Sequence, residues 1–245
     1  MLITKTSAFN NTHGLKVLVS GQSGAGKTYL TSTMKEFKPL LISAESGVLS
    51  LQGHEIDMID ISKDENGNQL ELNQRLKRLG EVLAYLKQPD HGYRTVILDS
   101  LTEVNQFLMA YLKTKFDASQ TLKMFGENKE LMIKLVKEFR DLPMNVVIIV
   151  LSNVEKDEMG RRFTGLDVVG SVSAALPALF DEVFNLQIVE DENKKPMRRL
   201  QCRASETIIC KDRSGKLDQY EKADLGYIFK KIMAITPVVI EEKKK

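Results

Sequence analysis

The stretch "GQSGAGKT" occupies residues 21–28, directly after the apolar run "LKVLVS" and ahead of a short helical stretch. Its glycines let the backbone curl so that successive N–H groups converge, and the helix N-terminus adds a favourable dipole; together these hold phosphate. Gly21, Gln22, Ser23, Gly24, Ala25, Gly26, Lys27, Thr28 and the adjoining Tyr29 form the candidate cradle. Lys27 is expected to reach the outer phosphates, and Thr28 to ligate Mg²⁺. Such a site needs a further acidic group near the metal, at the end of a neighbouring strand. "TVILDS" supplies Asp99 in that role, and Asp99 and Ser100 are also good caps for the helix that follows. A second carboxylate, Glu45, ends the apolar run "PLLISAES". A charge there must be paired, solvated or used, because burying it alone costs several kcal/mol.

Apolar strand-like runs alternate with segments of helical period. "LKVLVS", "PLLISA", "IDMIDI", "RTVILDS" and "NVVIIVLSN" read as strands. Leu72, Leu76, Leu79, Leu83 and Leu86 make one helical face; Val104, Phe107, Leu108, Tyr111 and Leu112 make another; Leu131, Leu135, Val136 and Phe139 make a third. Continuous apolar strands separated by helices indicate an α/β fold with a mostly parallel central sheet flanked by helices. The last third reads as consecutive strands turning near residues 192–196, an antiparallel C-terminal extension, with a terminal helix expected over residues 220–234. The expected division is an N-terminal segment 1–14, a core 15–235 and a charged tail 236–245.

The chain has 245 residues and a net charge of +2, so any nucleic-acid site must be a local patch. No apolar run is long enough to span a bilayer. Cys202 and Cys210 are the only cysteines and lack metal-ligand spacing, and His13, His54 and His91 are scattered. A cytoplasmic protein with no membrane partner is the expectation. Guanine specificity lacks support, because "SNVEKD" has the letters of the N-K-x-D motif in the wrong order. A kinase lid has only "GRRF" to draw on. ATP with Mg²⁺ is the expected ligand pair.

The order of these pieces resembles the RecA-like recombinase core. "ISAES" places Glu45 where that family's water-activating glutamate stands, with Ser43 replacing the family aspartate. "VILDSLTEV" resembles its metal-associated strand, and "IIVLSNV" resembles its sensor strand, with Asn153 in place of the glutamine. The short chain, "AESG", the Asp-Ser strand end and "KDR" resemble the small phage-type single-strand annealing ATPases. The resemblance implies ATP at subunit boundaries of a homo-oligomer, ring or filament. It also implies single-stranded DNA and a single-strand-binding protein as partners, and the cytoplasm of a bacterial host.

Lys211 and Arg213, two residues apart in "IICKDRSG", share a face if extended. They fit either a solvated edge strand or, by the resemblance, a contact to phosphate on a neighbouring subunit. Two segments stand where the family carries mobile DNA-binding loops. Residues 113–129 include Lys123, and residues 155–171 include Arg161, Arg162 and Phe163. Basic side chains and stacking aromatics there suit unpaired strands. The basic stretch "NKKPMRR" reads as a charged hairpin tip, and "TSAF" as a candidate for docking between subunits. The expected function is ATP-dependent single-stranded-DNA binding and annealing with hydrolysis of ATP. A nucleotide-switched scaffold or loader and a phosphotransferase are the alternatives.

Overall fold

The structure is a computed structural model and describes residues 13–45, 47–156, 160 and 162–234. Strand β1 (Lys16–Gly21) enters helix α1 (Lys27–Thr31), followed by β2 (Pro39–Ser43), β3 (Asp57–Asp60), α2 (Leu72–Leu86) and β4 (Thr95–Asp99). Then come α3 (Leu101–Lys113), α4 (Thr121–Arg140), β5 (Asn145–Lys156), β6 (Arg162–Leu166) and α5 (Val172–Ala175). The last elements are β7 (Glu182–Glu190), β8 (Pro196–Gln201), β9 (Lys211–Asp212), β10 (Tyr220–Lys222) and α6 (Leu225–Met233). The strand order is β10-β8-β7-β1-β5-β4-β2-β3, with β6 paired to β5 and β9 to β7. Pairings from β7 through β3 are parallel, and β8, β9 and β10 are added by antiparallel pairings.

Strand alternation splits each apolar run between two cores. Leu40, Ile42, Val96, Leu98, Val146 and Ile148 face a cluster completed by α2, α3 and α4. Leu41, Ile97, Val147 and Ile149 face the other side, against Leu30, Met34 and the α6 residues Ile228, Phe229 and Ile232. Each such side chain contributes about 1.5–3 kcal/mol on full burial, and burial on both faces explains why these strands read as unbroken apolar runs.

The expected parallel sheet, flanking helices and antiparallel extension are all present. Four local readings are corrected. The strand carrying Asp99 is not the neighbour of the strand leading into the Gly-rich loop, because β5 lies between β1 and β4. Residues 113–129 do not form a long loop: Met124, Asn128, Met132 and Val136 are buried at four-residue spacing and extend α4 back to Thr121. Ahead of α4, Asp117 and Gln120 form a capping box on a short 3₁₀ turn. In the other expected loop, β5 and β6 form an antiparallel hairpin in which Gly165 pairs with Asn153. A Cβ on Gly165 would lie 2.3 Å from Glu155 Oε1, so a larger residue there would push the exposed Glu155 side chain aside. The terminal helix starts later than expected. Tyr220–Lys222 pair with β8, and Asp224 caps α6 by accepting from Tyr227 N at 2.8 Å.

Candidate nucleotide-binding site

The C-terminal edge of the parallel strands holds a cavity of about 450 Å³. Its lining includes Lys27, Thr28, Tyr29, Glu45, Asp99 and Arg198. Three strand ends converge there, from β1 into the Gly-rich loop, from β4 at Asp99, and just beyond β2 at Glu45. This is where open α/β sheets bind ligands.

Lys27 Nζ donates to Gly21 O at 2.9 Å and Gln22 O at 2.8 Å, so the ammonium is folded back along the loop. Burial lowers its pKa, while Asp99 and Glu45 act in the opposite direction. Gly26 sits at φ 97°, left-handed backbone that a side chain would strain. Thr28 Oγ1 donates to Asp99 Oδ2 at 2.6 Å, which joins the two expected metal-side oxygens directly. Asp99 is buried, and desolvation pushes its pKa up to about 6 against the Thr28 hydrogen bond; Glu45 adds to the rise and Lys27 opposes it. Ser100 Oγ donates to Glu45 Oε1 and also receives Glu103 N at 3.4 Å, so the cap of α3 holds the second carboxylate. Tyr29 is half exposed at the cavity wall, its ring edge-on to His54 at 5.6 Å.

This donor set fits a Mg²⁺-bound polyphosphate. A hydroxyl and a carboxylate stand side by side beside an ammonium and a glycine loop. Among the described residues no group of three or more His, Cys, Asp or Glu could hold a metal unaided. Mg²⁺ characteristically takes one or two protein oxygens and completes its shell with phosphate and water. Thr28 and Asp99 are the residues that would hold it.

The fold and this cavity define a P-loop nucleotide-binding α/β protein. A family model described as an AAA domain matches residues 13–214, and the chain belongs to that family of P-loop ATPases. A solved structure similar to it comes from a structural and biochemical study of a prototypical ATPase of the type III secretion system of pathogenic bacteria. Identity there is 13%, the match covers 71% of this chain and 52% of that chain, and the TM-score is 0.46. The matched region therefore spans about half of that ATPase's length. No curated protein matches the chain. Among the described residues no helix is long and apolar enough to cross a membrane.

Other expected site residues fall elsewhere. Asn153, the expected sensor, lies on the β5–β6 hairpin and not in the cavity lining; the strand reaches the cavity two residues earlier, at Leu151. With its amide oriented to satisfy both ends, Asn153 donates to Glu155 Oε1 at 3.1 Å and Gly165 O at 3.3 Å. Lys211 and Arg213 sit at the opposite edge, where β9 pairs with the start of β7. Lys211 Nζ donates to the carbonyls of Pro177 and Phe180, and Arg213 pairs with Asp181 at 2.8 Å. Lys123 lies on α4 with its ammonium 5.8 Å from the Phe116 ring centre. Arg162 and Phe163 are on β6, and Arg161 lies outside the described residues, as do residues 1–12 and the tail.

Two functional candidates are absent from the sequence reading. The sequence pattern gives Ser100 only a capping role. Arg198 was absorbed in a charged hairpin tip, yet its Nε donates to Ala25 O at 2.9 Å from across the sheet. Adjacent arginines on a strand must face opposite ways, a usable signal, but which one meets the loop depends on strand order.

Proposed function

We propose that this chain binds Mg²⁺–ATP, hydrolyses it to ADP and phosphate, and couples that cycle to binding and annealing single-stranded DNA as a homo-oligomer. The observation that carries the reading is the convergence of Lys27, Thr28, Asp99 and Glu45 on one cavity. Lys27 and the loop N–H groups hold the phosphates, as anion-binding loops of this kind do. Mg²⁺, when bound, neutralises phosphate oxygens beside Thr28 and Asp99. Glu45, held by the Ser100 hydroxyl, orients a water and takes its proton as that oxygen bonds to the terminal phosphorus and the bond to ADP breaks. Glu45 is exposed at the cavity, so a water can reach it.

Support for the DNA part comes from the hairpin. Lys156 and Arg162 are cross-strand partners at its outer end, and like charges placed opposite one another repel. A phosphate backbone would relieve that repulsion, and the adjoining Phe163 offers a face for a base. Lys123 is a further basic candidate, on α4. The hairpin is also tied to the site through α3. Thr102 Oγ1 accepts from Leu151 N at 3.0 Å and Asn105 Oδ1 from Val169 N at 2.7 Å, on the helix that Ser100 caps. ATP at a boundary between copies would meet a neighbour's Lys211 and Arg213 only in a head-to-tail arrangement, the packing of a ring or filament.

The test measures ATP hydrolysis and complementary-strand annealing, with and without single-stranded DNA, on the wild-type chain, Glu45→Gln and Arg162→Ala. DNA-stimulated phosphate release that Glu45→Gln abolishes, and weaker annealing in Arg162→Ala, are expected. Nucleotide binding with no response to DNA would favour a nucleotide-switched scaffold instead.

A further inference from the structure

Among the described residues lining the phosphate cavity, Arg198 is the charged side chain contributed by the antiparallel extension. β8 lies two strands from β1, on the side away from β4 and β2. Arg198 therefore approaches the loop from the flank opposite Asp99 and Glu45. We propose that Arg198 is a nucleotide ligand supplied within the same chain, gripping the inner phosphates of the bound nucleotide; this rests on the reading of the cavity as an ATP site.

The Nε–Ala25 bond holds the guanidinium against the loop so closely that a Cβ on Gly26 would lie 2.8 Å from Nε. Gly26 is favoured for its positive φ, and a side chain there would also displace the Arg198 guanidinium. Arginine carries five N–H donors, and here one is used on the loop. Among the described residues no carboxylate forms an ion pair with Arg198, whereas Arg140 and Arg213 both have one. A planar cation with unused paired donors at a cavity wall suits phosphate oxygens in a bidentate geometry. Loop backbone of this type cradles the α- and β-phosphates, so an arginine fixed beside Ala25 and Gly26 acts there and not on the terminal phosphate.

Arg199 provides an internal contrast. Its guanidinium carbon lies 3.6 Å from the Tyr220 ring centre and its Nε donates to Gln187 Oε1 at 3.1 Å. That side chain joins β8 to β10 and β7 and does not line the cavity.

The test is calorimetric titration of the full chain with Mg²⁺–ATP and Mg²⁺–ADP, alongside steady-state hydrolysis. Arg198→Ala and Arg198→Gln should both lose about 10- to 100-fold in affinity, equally for ATP and ADP, with KM raised and kcat little changed. Arg198→Lys should recover part of the loss, and Arg199→Ala should bind both nucleotides like wild type. Unchanged affinity in Arg198→Ala overturns the proposal. Wild-type affinity in Arg198→Gln, which keeps a donor for Ala25 without the charge, shows a mere prop and also overturns it. A loss confined to ATP overturns the assignment to the inner phosphates. Lys27→Ala separates the two levels of inference. If it abolishes binding while Arg198→Ala does not, only the arginine assignment fails; if wild type shows no binding that depends on Lys27, the ATP site itself fails.

Discussion

At the C-terminal edge of the sheet, the ammonium of Lys27 rests on two loop carbonyls and faces a cavity shared with Asp99, Glu45 and Arg198. At the opposite edge, the ammonium of Lys16 is buried and donates to the carbonyls of His13, Leu142 and Met144. Lys211 is spent on two further carbonyls there, and Arg213 on Asp181. Both edges hold buried charge and both carry shifted pKa values, so neither property alone marks a functional site. What separates them is the occupancy of the donors. Three carbonyls converge on Lys16 and close its shell, whereas the charges around Lys27 border open volume where an anion can complete them.

The contrast is broken or sharpened first by the two lysines. Lys27→Ala should lower ATP affinity on the order of 100-fold or more, with little change in the unfolding midpoint of the ligand-free protein. Lys16→Ala leaves buried carbonyls without a donor and should cost roughly 2–3 kcal/mol in denaturant unfolding, with ATP affinity unchanged in the folded fraction. Lost affinity in a folded Lys16 variant would erase the distinction. Next, Glu45→Gln should reduce turnover by about 10²- to 10⁴-fold and leave ATP binding within a few-fold, read by phosphate release and titration.

The pH responses should also differ between edges. Burial raises Glu182 to about 8, so between its unfolded value near 4.5 and about 8 the folded state holds a proton that the unfolded chain has lost; stability then falls as pH rises through that window. Burial lowers Lys16 to about 8, so from about 8 to 10.5 the unfolded chain holds the extra proton and stability rises with pH. Glu182→Gln should flatten the first limb and leave nucleotide affinity unchanged at every pH. At the other edge, Asp99 is ionised above about 6, so Mg²⁺-dependent ATP affinity should fall below that pH, and Asp99→Asn should remove the dependence. A pH-independent affinity in wild type would show that the Asp99 charge is not used.

The smallest expected effect is that of Arg213→Ala. Its ion pair with Asp181 is exposed and is worth about 0–1 kcal/mol, and basal hydrolysis should not change. Loss of DNA-stimulated hydrolysis in this variant, with ATP binding intact, would show that the side chain leaves Asp181 to act on a neighbouring copy. That result would make the second edge functional too.

Much of the site was legible because its chemistry is local in sequence. The Gly-rich loop must follow a strand and open a helix, and a carboxylate ending an apolar strand must sit at the rim of the sheet, so Lys27, Thr28, Asp99 and Glu45 could be named from the chain alone. Asn153 could not be placed the same way. β5 runs past the sheet into a hairpin, and the two residues after Leu151 carry the side chain away from the cavity. The stretch from 113 to 129 reads as a loop because Met124 and Asn128 are weak hydrophobic signals; only burial against α3, including the Asn105–Asn128 bond at 2.9 Å, reveals the helix period.

The sequence by itself determined the local chemistry: a phosphate-holding loop, two rim carboxylates, buried strands and an antiparallel tail. These follow from backbone freedom, alternation and apolar periodicity within a few residues. Tertiary structure alone decided that β5 separates β1 from β4, that Ser100 holds Glu45, and that Arg198 rather than Arg199 meets the loop. The reason is physical. Strand order and register are set by which apolar faces pack together across the whole sheet, and those contacts join residues as far apart as Ala25 and Arg198.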